Sequence, residues 1–185
     1  YTPSLALVAE HFSVCDAMVQ GTVSINLFGL AISGPLYGPW SDAVGRRYVL
    51  RFGMGLFLLG SIGSYVCTHM SGSITPLLIA RFIQGLGAGA SVAVSYAAVQ
   101  DIFDERKSAQ VLSFMGMAIS LAPGLAPILG GYIAHNHHWS LCFGVVSLAA
   151  IALVLLLFTV MPETLAKRKR TGFSLIGLIE GYKSV

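Results

Sequence analysis

Long runs without charge alternate along the chain with short charged breaks. No Asp, Glu, Lys or Arg occurs in 17–41, 52–80, 82–100, 108–162 or 171–179. A helix needs about 20 mostly apolar residues to cross a bilayer. At a rise of ~1.5 Å per residue the 108–162 run is too long for one crossing. It divides at His135-Asn136-His137-His138, and the 52–80 run divides at His69-Met70-Ser71-Gly72-Ser73. The pattern predicts spans over 18–40, 49–68, 75–100, 108–134 and 139–161. Residues 1–9 are too short to cross and read as the exit end of an earlier helix.

Charge placement orients these spans. Arg46, Arg47 and Arg51 lie between the first two, and Arg106 and Lys107 between the third and fourth. Lys167, Arg168, Lys169, Arg170 and Lys183 follow the fifth. The opposite side, 1–17, 69–74 and 135–138, has no Lys or Arg. Basic loops stay in the cytoplasm, so that opposite side is the outer face. Composition agrees with this reading. Only 10% of the 185 residues are charged and mean hydropathy is +0.77, against about 25% charged in soluble domains. Soluble, disordered and nucleic-acid-binding classes are excluded. Cys15, Cys67 and Cys142 show no paired spacing and read as small apolar fillers. The first residue is Tyr rather than Met, as in part of a longer product.

Several positions break the rules of a lipid-facing helix. Arg81 lies roughly two turns in from the outer end of the third span, where a cation is costly. It either snorkels outward or faces a carboxylate or polar crevice. Arg81, Gln84, Ala88, Ser91 and Ser95 step by 3, 4, 3 and 4, which aligns them on one helical face. No acid lies inside any span, so a carboxylate partner has to come from outside this sequence, or a water takes its place. Gly85 and Gly89 form a small-residue step for close helix packing. In the fourth span Gly116, Ser120 and Gly124 recur every four residues beside Pro123, Pro127, Gly130 and Gly131. Proline removes a helical hydrogen bond and bends the rod, which predicts a kinked helix pressed against a neighbour. Between the first two spans, Asp42 can pair with Arg46, and Asp101, at the same depth, can share that arginine. The alternative is a solvated loop whose arginines only set topology.

In combination these residues resemble the major facilitator superfamily. Gly38, Asp42, Gly45, Arg46 and Arg47 match its loop signature G-x-L-x-D-R-x-G-R-R, with Trp40 in place of Leu and Ala43 in place of Arg. Arg81 to Ala88 is similar to its R-F-x-Q-G-x-G signature. Gly116 to Gly131 is similar to its antiporter signature, with Ala126 before Pro127. Pro162-Glu163-Thr164-Leu165 resembles the end of its sixth helix. The opening Tyr1-Thr2-Pro3-Ser4-Leu5 and the closing Gly181-Tyr182-Lys183 resemble the bicyclomycin-resistance-type drug:proton antiporters of bacteria.

The resemblance implies an all-α polytopic membrane protein. Residues 1–165 would form the N-terminal six-helix bundle, with helix 1 largely missing, and 166–185 the start of a cytoplasmic linker. It implies no enzyme, metal or cofactor; a proton gradient supplies energy for exporting small hydrophobic or cationic drug-like substrates by alternating access. The implied partners are those substrates, protons, membrane lipid and a C-terminal half-bundle in the full-length protein, with no nucleic acid; the location is the bacterial inner membrane. Carried over, Gly38, Asp42, Gly45, Arg46, Arg47 and Asp101 form a cytoplasmic latch. Arg81 and Gln84 belong to proton coupling, with Arg81 acting on an acid upstream of Tyr1. Gly116, Ser120, Pro123, Gly124, Pro127, Gly130 and Gly131 form the antiporter motif, which faces the other bundle. Asn26, Ser91, Ser95 and Tyr96 are candidates for the substrate cavity. Two other readings stay open: a proton-coupled nutrient symporter of the same superfamily, and a truncated, non-transporting fragment with a regulatory or assembly role.

Overall fold

The computed structural model describes residues 5–70 and 72–161. The expectations for Tyr1–Ser4, for Pro162–Leu165 and for the linker lie outside the described residues. Six helices follow in order: α1 (Leu5–Phe12), α2 (Asp16–Val44), α3 (Arg46–Met70), α4 (Thr75–Ile102), α5 (Glu105–Asn136) and α6 (Leu141–Val160). No strand occurs among the described residues. The five helices α2 to α6 are long and apolar enough to cross a membrane, and each carries one predicted span. Several run past the apolar stretch; α2 continues to Val44, beyond the predicted 40. Backbone groups still need internal partners at headgroup depth, so the helix outlasts its apolar composition.

The connections are short and locally specified. Ser13 adopts φ 51° after α1, and its N–H and that of Val14 bond the Glu10 and Ala9 carbonyls at 3.2 and 3.0 Å. That is a Schellman stop, with Ser13 in the left-handed place usually held by glycine. A single residue, Gly45, links α2 to α3 at φ 119°, a backbone shape that a side chain would strain. Ser108 closes the other cytoplasmic turn. Its hydroxyl lies 3.0 and 3.3 Å from the Phe103 and Val99 carbonyls at the end of α4.

Helix α4 is the hub, clasped between α2 and α3 through glycine. A Cβ on Gly29 of α2 would fall 2.7 Å from the Phe82 carbonyl oxygen, and one on Gly85 of α4 would strike the Asn26 carbonyl. On the other side, a Cβ on Gly60 would lie 2.7 Å from the Ala80 carbonyl oxygen and one on Gly87 would strike the Phe57 backbone. Backbone therefore rests on backbone, as van der Waals packing in lipid requires. Apolar cores lie at both ends. Val8, Phe12, Val19, Leu77, Trp139 and Phe143 fill the outer one. Tyr37, Val49, Leu50, Met54, Ala90 and Val94 fill the inner one.

The small-residue stripe of α5 has no neighbour among the described residues. Helix α5 runs unbroken through Pro123 and Pro127, and its buried residues are Ser108 and Gly130. A Cβ on Gly116 or Gly124 would meet nothing within 4 Å, and Ser120 turns its hydroxyl to its own helix, 2.9 Å from the Gly116 carbonyl oxygen. Small residues permit close approach but do not supply a partner, and the described residues place no backbone against this stripe.

Candidate functional site

Three assemblies, two polar and one mostly apolar, lie along the bundle. At the cytoplasmic end Arg46 is buried to 6% exposure on the first turn of α3. Its Nη2 lies 2.6 Å from Asp42 Oδ1 and its Nε 2.9 Å from Asp101 Oδ2. Its Nη1 donates to the hydroxyl of Ser41, which is fully buried and donates in turn to the Gly38 carbonyl at 2.7 Å. One guanidinium thus joins the end of α2, the start of α3 and the end of α4. Gly45 makes this possible by reversing the chain within one residue. Gly38 contributes its carbonyl, and a Cβ there would meet open space. Arg47 is half-buried beside the cluster.

At mid-depth a hydrogen-bonded series crosses three helices. Asn26 Nδ2 donates to the Arg81 carbonyl at 2.9 Å. Arg81 Nη1 donates to Gln84 Oε1 at 2.8 Å, Gln84 Nε2 to Ser61 Oγ at 2.9 Å, and Ser61 to the Phe57 carbonyl at 2.7 Å. The Arg81 guanidinium also sits 4.5 Å from the centre of the Phe143 ring of α6, a cation–π contact strengthened by desolvation. These partners are neutral and lie within the chain, so opposite charge is not the signal that marks them. An amide oxygen and an aromatic face both hold a cation at membrane depth without a carboxylate.

Below this layer α4 and α6 diverge. A cavity of about 450 Å³ opens between them and α3, lined by Leu50, Met54, Ser91, Ser95, Leu153 and Leu157 among others. Ser91 donates to its own helix at the Ala88 carbonyl, 2.7 Å away, so the wall offers mostly apolar surface. Asn26 is engaged between helices, while Tyr96 is half-buried on α4. The stripe beginning at Arg81 therefore divides: Gln84 points into the α3 contact, and Ser91 and Ser95 into the cavity. The antiporter stripe on α5 stays apart from all three assemblies.

Some partners were not legible in the sequence. Ser41 and Ser61 are ordinary small residues until a buried donor or acceptor meets them. Arg51, read only as a topology signal, donates from Nη2 to the Phe158 carbonyl at 2.9 Å, and its guanidinium lies 4.4 Å from the Phe158 ring centre. It caps the C-terminal carbonyls of α6, where a cation also suits the helix dipole.

Comparison with known proteins identifies the family. The model of the Major Facilitator Superfamily matches residues 1–183. The chain is 33% identical over 172 residues to a bicyclomycin resistance protein homolog of Haemophilus influenzae, covering 92% of this chain and 42% of that protein. It is 29% identical over 183 residues to the multidrug resistance protein MdtM of Salmonella typhimurium, covering 99% of this chain and 43% of that protein. The chain thus spans less than half the length of these relatives. Its fold matches that of the proton:xylose symporter XylE with a TM-score of 0.73 at 21% identity, over 88% of this chain and 40% of that one. A family match along nearly the whole chain shows that this chain belongs to the major facilitator superfamily.

Proposed function

We propose that residues 1–165 are the N-terminal bundle, and 166–185 the start of the linker, of a proton-coupled exporter of small hydrophobic or cationic drugs in the bacterial inner membrane. The observation that carries this reading is Arg46 held between Asp42 and Asp101. A buried cation shared by two acids from different helices closes the cytoplasmic end, and alternating access requires that end to open. The names of the relatives, bicyclomycin and multidrug resistance proteins, support drugs as the cargo.

In this reading Arg81 and Gln84 form the inward wall of a proton site whose acid lies upstream of Tyr1. The open stripe Gly116, Ser120, Gly124, with Pro123, Pro127, Gly130 and Gly131, meets a C-terminal half-bundle. Asn26, Ser91, Ser95 and Tyr96 belong to the substrate path, whose apolar cavity suits a hydrophobic cargo. The test is efflux of a fluorescent lipophilic cation from energised vesicles of the full-length protein. Export should stop when the proton gradient is collapsed and in Arg81→Ala. Gradient-independent flux, or gradient-driven uptake of sugars or organic acids in place of export, overturns the reading.

A further inference from the structure

The first turn of α6 reaches α4 through side chains. Helix α4 packs along α2 and α3, and α6 along α3, but the backbones of α4 and α6 hardly meet. At mid-depth, Arg81 crosses between them. Side chains on a helix tilt toward its N-terminus, and α4 starts at the outer face, so Arg81 is aimed outward. Its guanidinium nevertheless stops inside the bundle. Nη1 donates to Gln84 Oε1 at 2.8 Å, and the group lies over the Phe143 ring, 4.5 Å from its centre. Arg81 is half-buried and Phe143 is 3% exposed.

The plane of that ring is set by its neighbours. Trp139, one turn earlier, stands at 80° to Phe143 with ring centres 6.2 Å apart, an edge contact between aromatic rings. Trp139 makes the same kind of contact with Phe12 and His11 of α1, at 6.5 and 5.3 Å. Beside Phe143, Gly144 lets Tyr65 of α3 close on α6; a Cβ there would lie 3.2 Å from Tyr65 Cε2. Leu77 of α4 fills the same core. The Phe143 ring therefore cannot tilt without displacing Trp139, and Trp139 belongs to the connection that carries α5 into α6.

We propose that Phe143 is the positioning residue of Arg81. The negative face of its ring keeps the guanidinium on Gln84, whose amide is fixed in turn by Ser61 of α3 at 2.9 Å. A cation held by an aromatic face needs no counter-ion, and the contact strengthens as water is excluded. A leucine would fill much of the same space without that charge distribution, and the arginine would then extend to the outer water. Because Trp139 sets the ring, the seating of the α5–α6 connection sets the place of Arg81. The consequence for transport rests on the exporter reading; the placement of Arg81 does not.

The test replaces Phe143 with phenylalanines carrying one, two and three ring fluorines, in the full-length protein in lipid nanodiscs. Fluorine withdraws charge from the ring face and leaves the size and apolar character of the ring nearly unchanged. Modification of Arg81 by phenylglyoxal, read on its peptide by mass spectrometry, should rise stepwise, by about tenfold with three fluorines. Arg46, 6% exposed at the inner end, should keep its rate. Phe143→Leu should raise Arg81 modification at least as much. Trp139→Leu should raise it by about threefold in the unmodified protein and add nothing in Phe143→Leu, where no ring is left to orient. The fluorinated series decides the matter if either leucine variant fails to fold. A rate that stays flat across the fluorines, a rise shared by Arg46, or effects of Trp139→Leu and Phe143→Leu that simply multiply would overturn the proposal. Gradient-driven efflux by the same proteins separates it from the exporter reading. Efflux that falls in step with Arg81 modification supports both; efflux unchanged while modification climbs leaves the positioning in place and removes Arg81 from transport.

Discussion

Replacing Asp101 with Asn should loosen the cytoplasmic end far more than replacing Asp42, although Asp42 is the closer of the two acids to Arg46. The Asp42 side chain is 44% exposed and that of Asp101 21%, against 8% for Arg46. An exposed i,i+4 pair contributes about 0.3–0.5 kcal/mol. A charge-assisted bond to a buried guanidinium contributes about 2 kcal/mol. Helix dipoles modify both values. Asp42 and Asp101 lie in the last turns of α2 and α4, and Arg46 opens α3, so each charge sits at the end its own helix disfavours. Asparagine relieves that clash by about 0.5 kcal/mol. Asp101→Asn should then cost about 1.5 kcal/mol, a roughly tenfold rise in local opening, while Asp42→Asn should cost close to nothing. Arg46→Gln leaves two acids at helix C-termini and should cost most, about 3 kcal/mol. The assay is amide hydrogen exchange of the protein in nanodiscs, read at 41–46 and 98–102, with 75–80 as the unaffected control. Equal effects of the two Asp variants, or a larger effect of Asp42→Asn, would refute the reasoning from burial.

Other substitutions separate packing from function. Gly85→Ala drives a Cβ into the Asn26 carbonyl and should destabilise the bundle by about 2 kcal/mol, seen as a lowered thermal midpoint. Gly116→Ala, in the same kind of small-residue stripe but facing open space, should leave the midpoint of the 185-residue chain unchanged or raised. Arg51→Ala removes both the cap and the ring contact at Phe158 and should increase exchange at the end of α6 by about tenfold, or ~1.4 kcal/mol; Arg51→Lys should recover less than half, because the planar fork is lost. Gln84→Leu removes the amide that links Arg81 to Ser61 of α3, and in the exporter proposed above it should abolish gradient-driven efflux by the full-length protein while that protein still inserts and folds.

The spans and the Gly85–Gly89 packing step were legible because each follows from a one-dimensional signal: length without charge, or spacing of small residues. Gly85 and Gly89 read as a packing step, and the α2 backbone lies against them. The same signal on α5 reads identically and meets no neighbour among the described residues, since spacing describes one surface of a contact and says nothing of the other. Asp42, Arg46 and Asp101 were readable as a group because all three lie at one membrane depth. Ser41, Ser61 and Phe143 were not. Their roles depend on which buried polar or cationic atom the fold brings to them, and residue type carries no trace of that. Arg81 shows the same limit from the other direction: a search for opposite charge passes over an amide three residues away and a ring on another helix.

How the two ends can open follows from where backbone touches backbone. Glycine contacts join α2, α3 and α4 along their middle, with Gly29 and Gly85 on one side of α4 and Gly60 and Gly87 on the other. Such contacts have no side chains to repack, so these helices cannot slide past one another without a clash. The mid-depth series from Asn26 to Ser61 fixes the same three helices with directional bonds. Outside that block, α6 rests on α3 and α5 touches its neighbours only sparsely. At the inner end, Arg46 joins three helices, and most of that tie rests on its bond to the less exposed Asp101. At the outer end, the bridge from His69 through Ser140 to His138 joins α3 to the segment that carries α5 into α6. The block of α2, α3 and α4 is therefore the stiff part of the described bundle, and in the exporter proposed above it is the body that would turn as one.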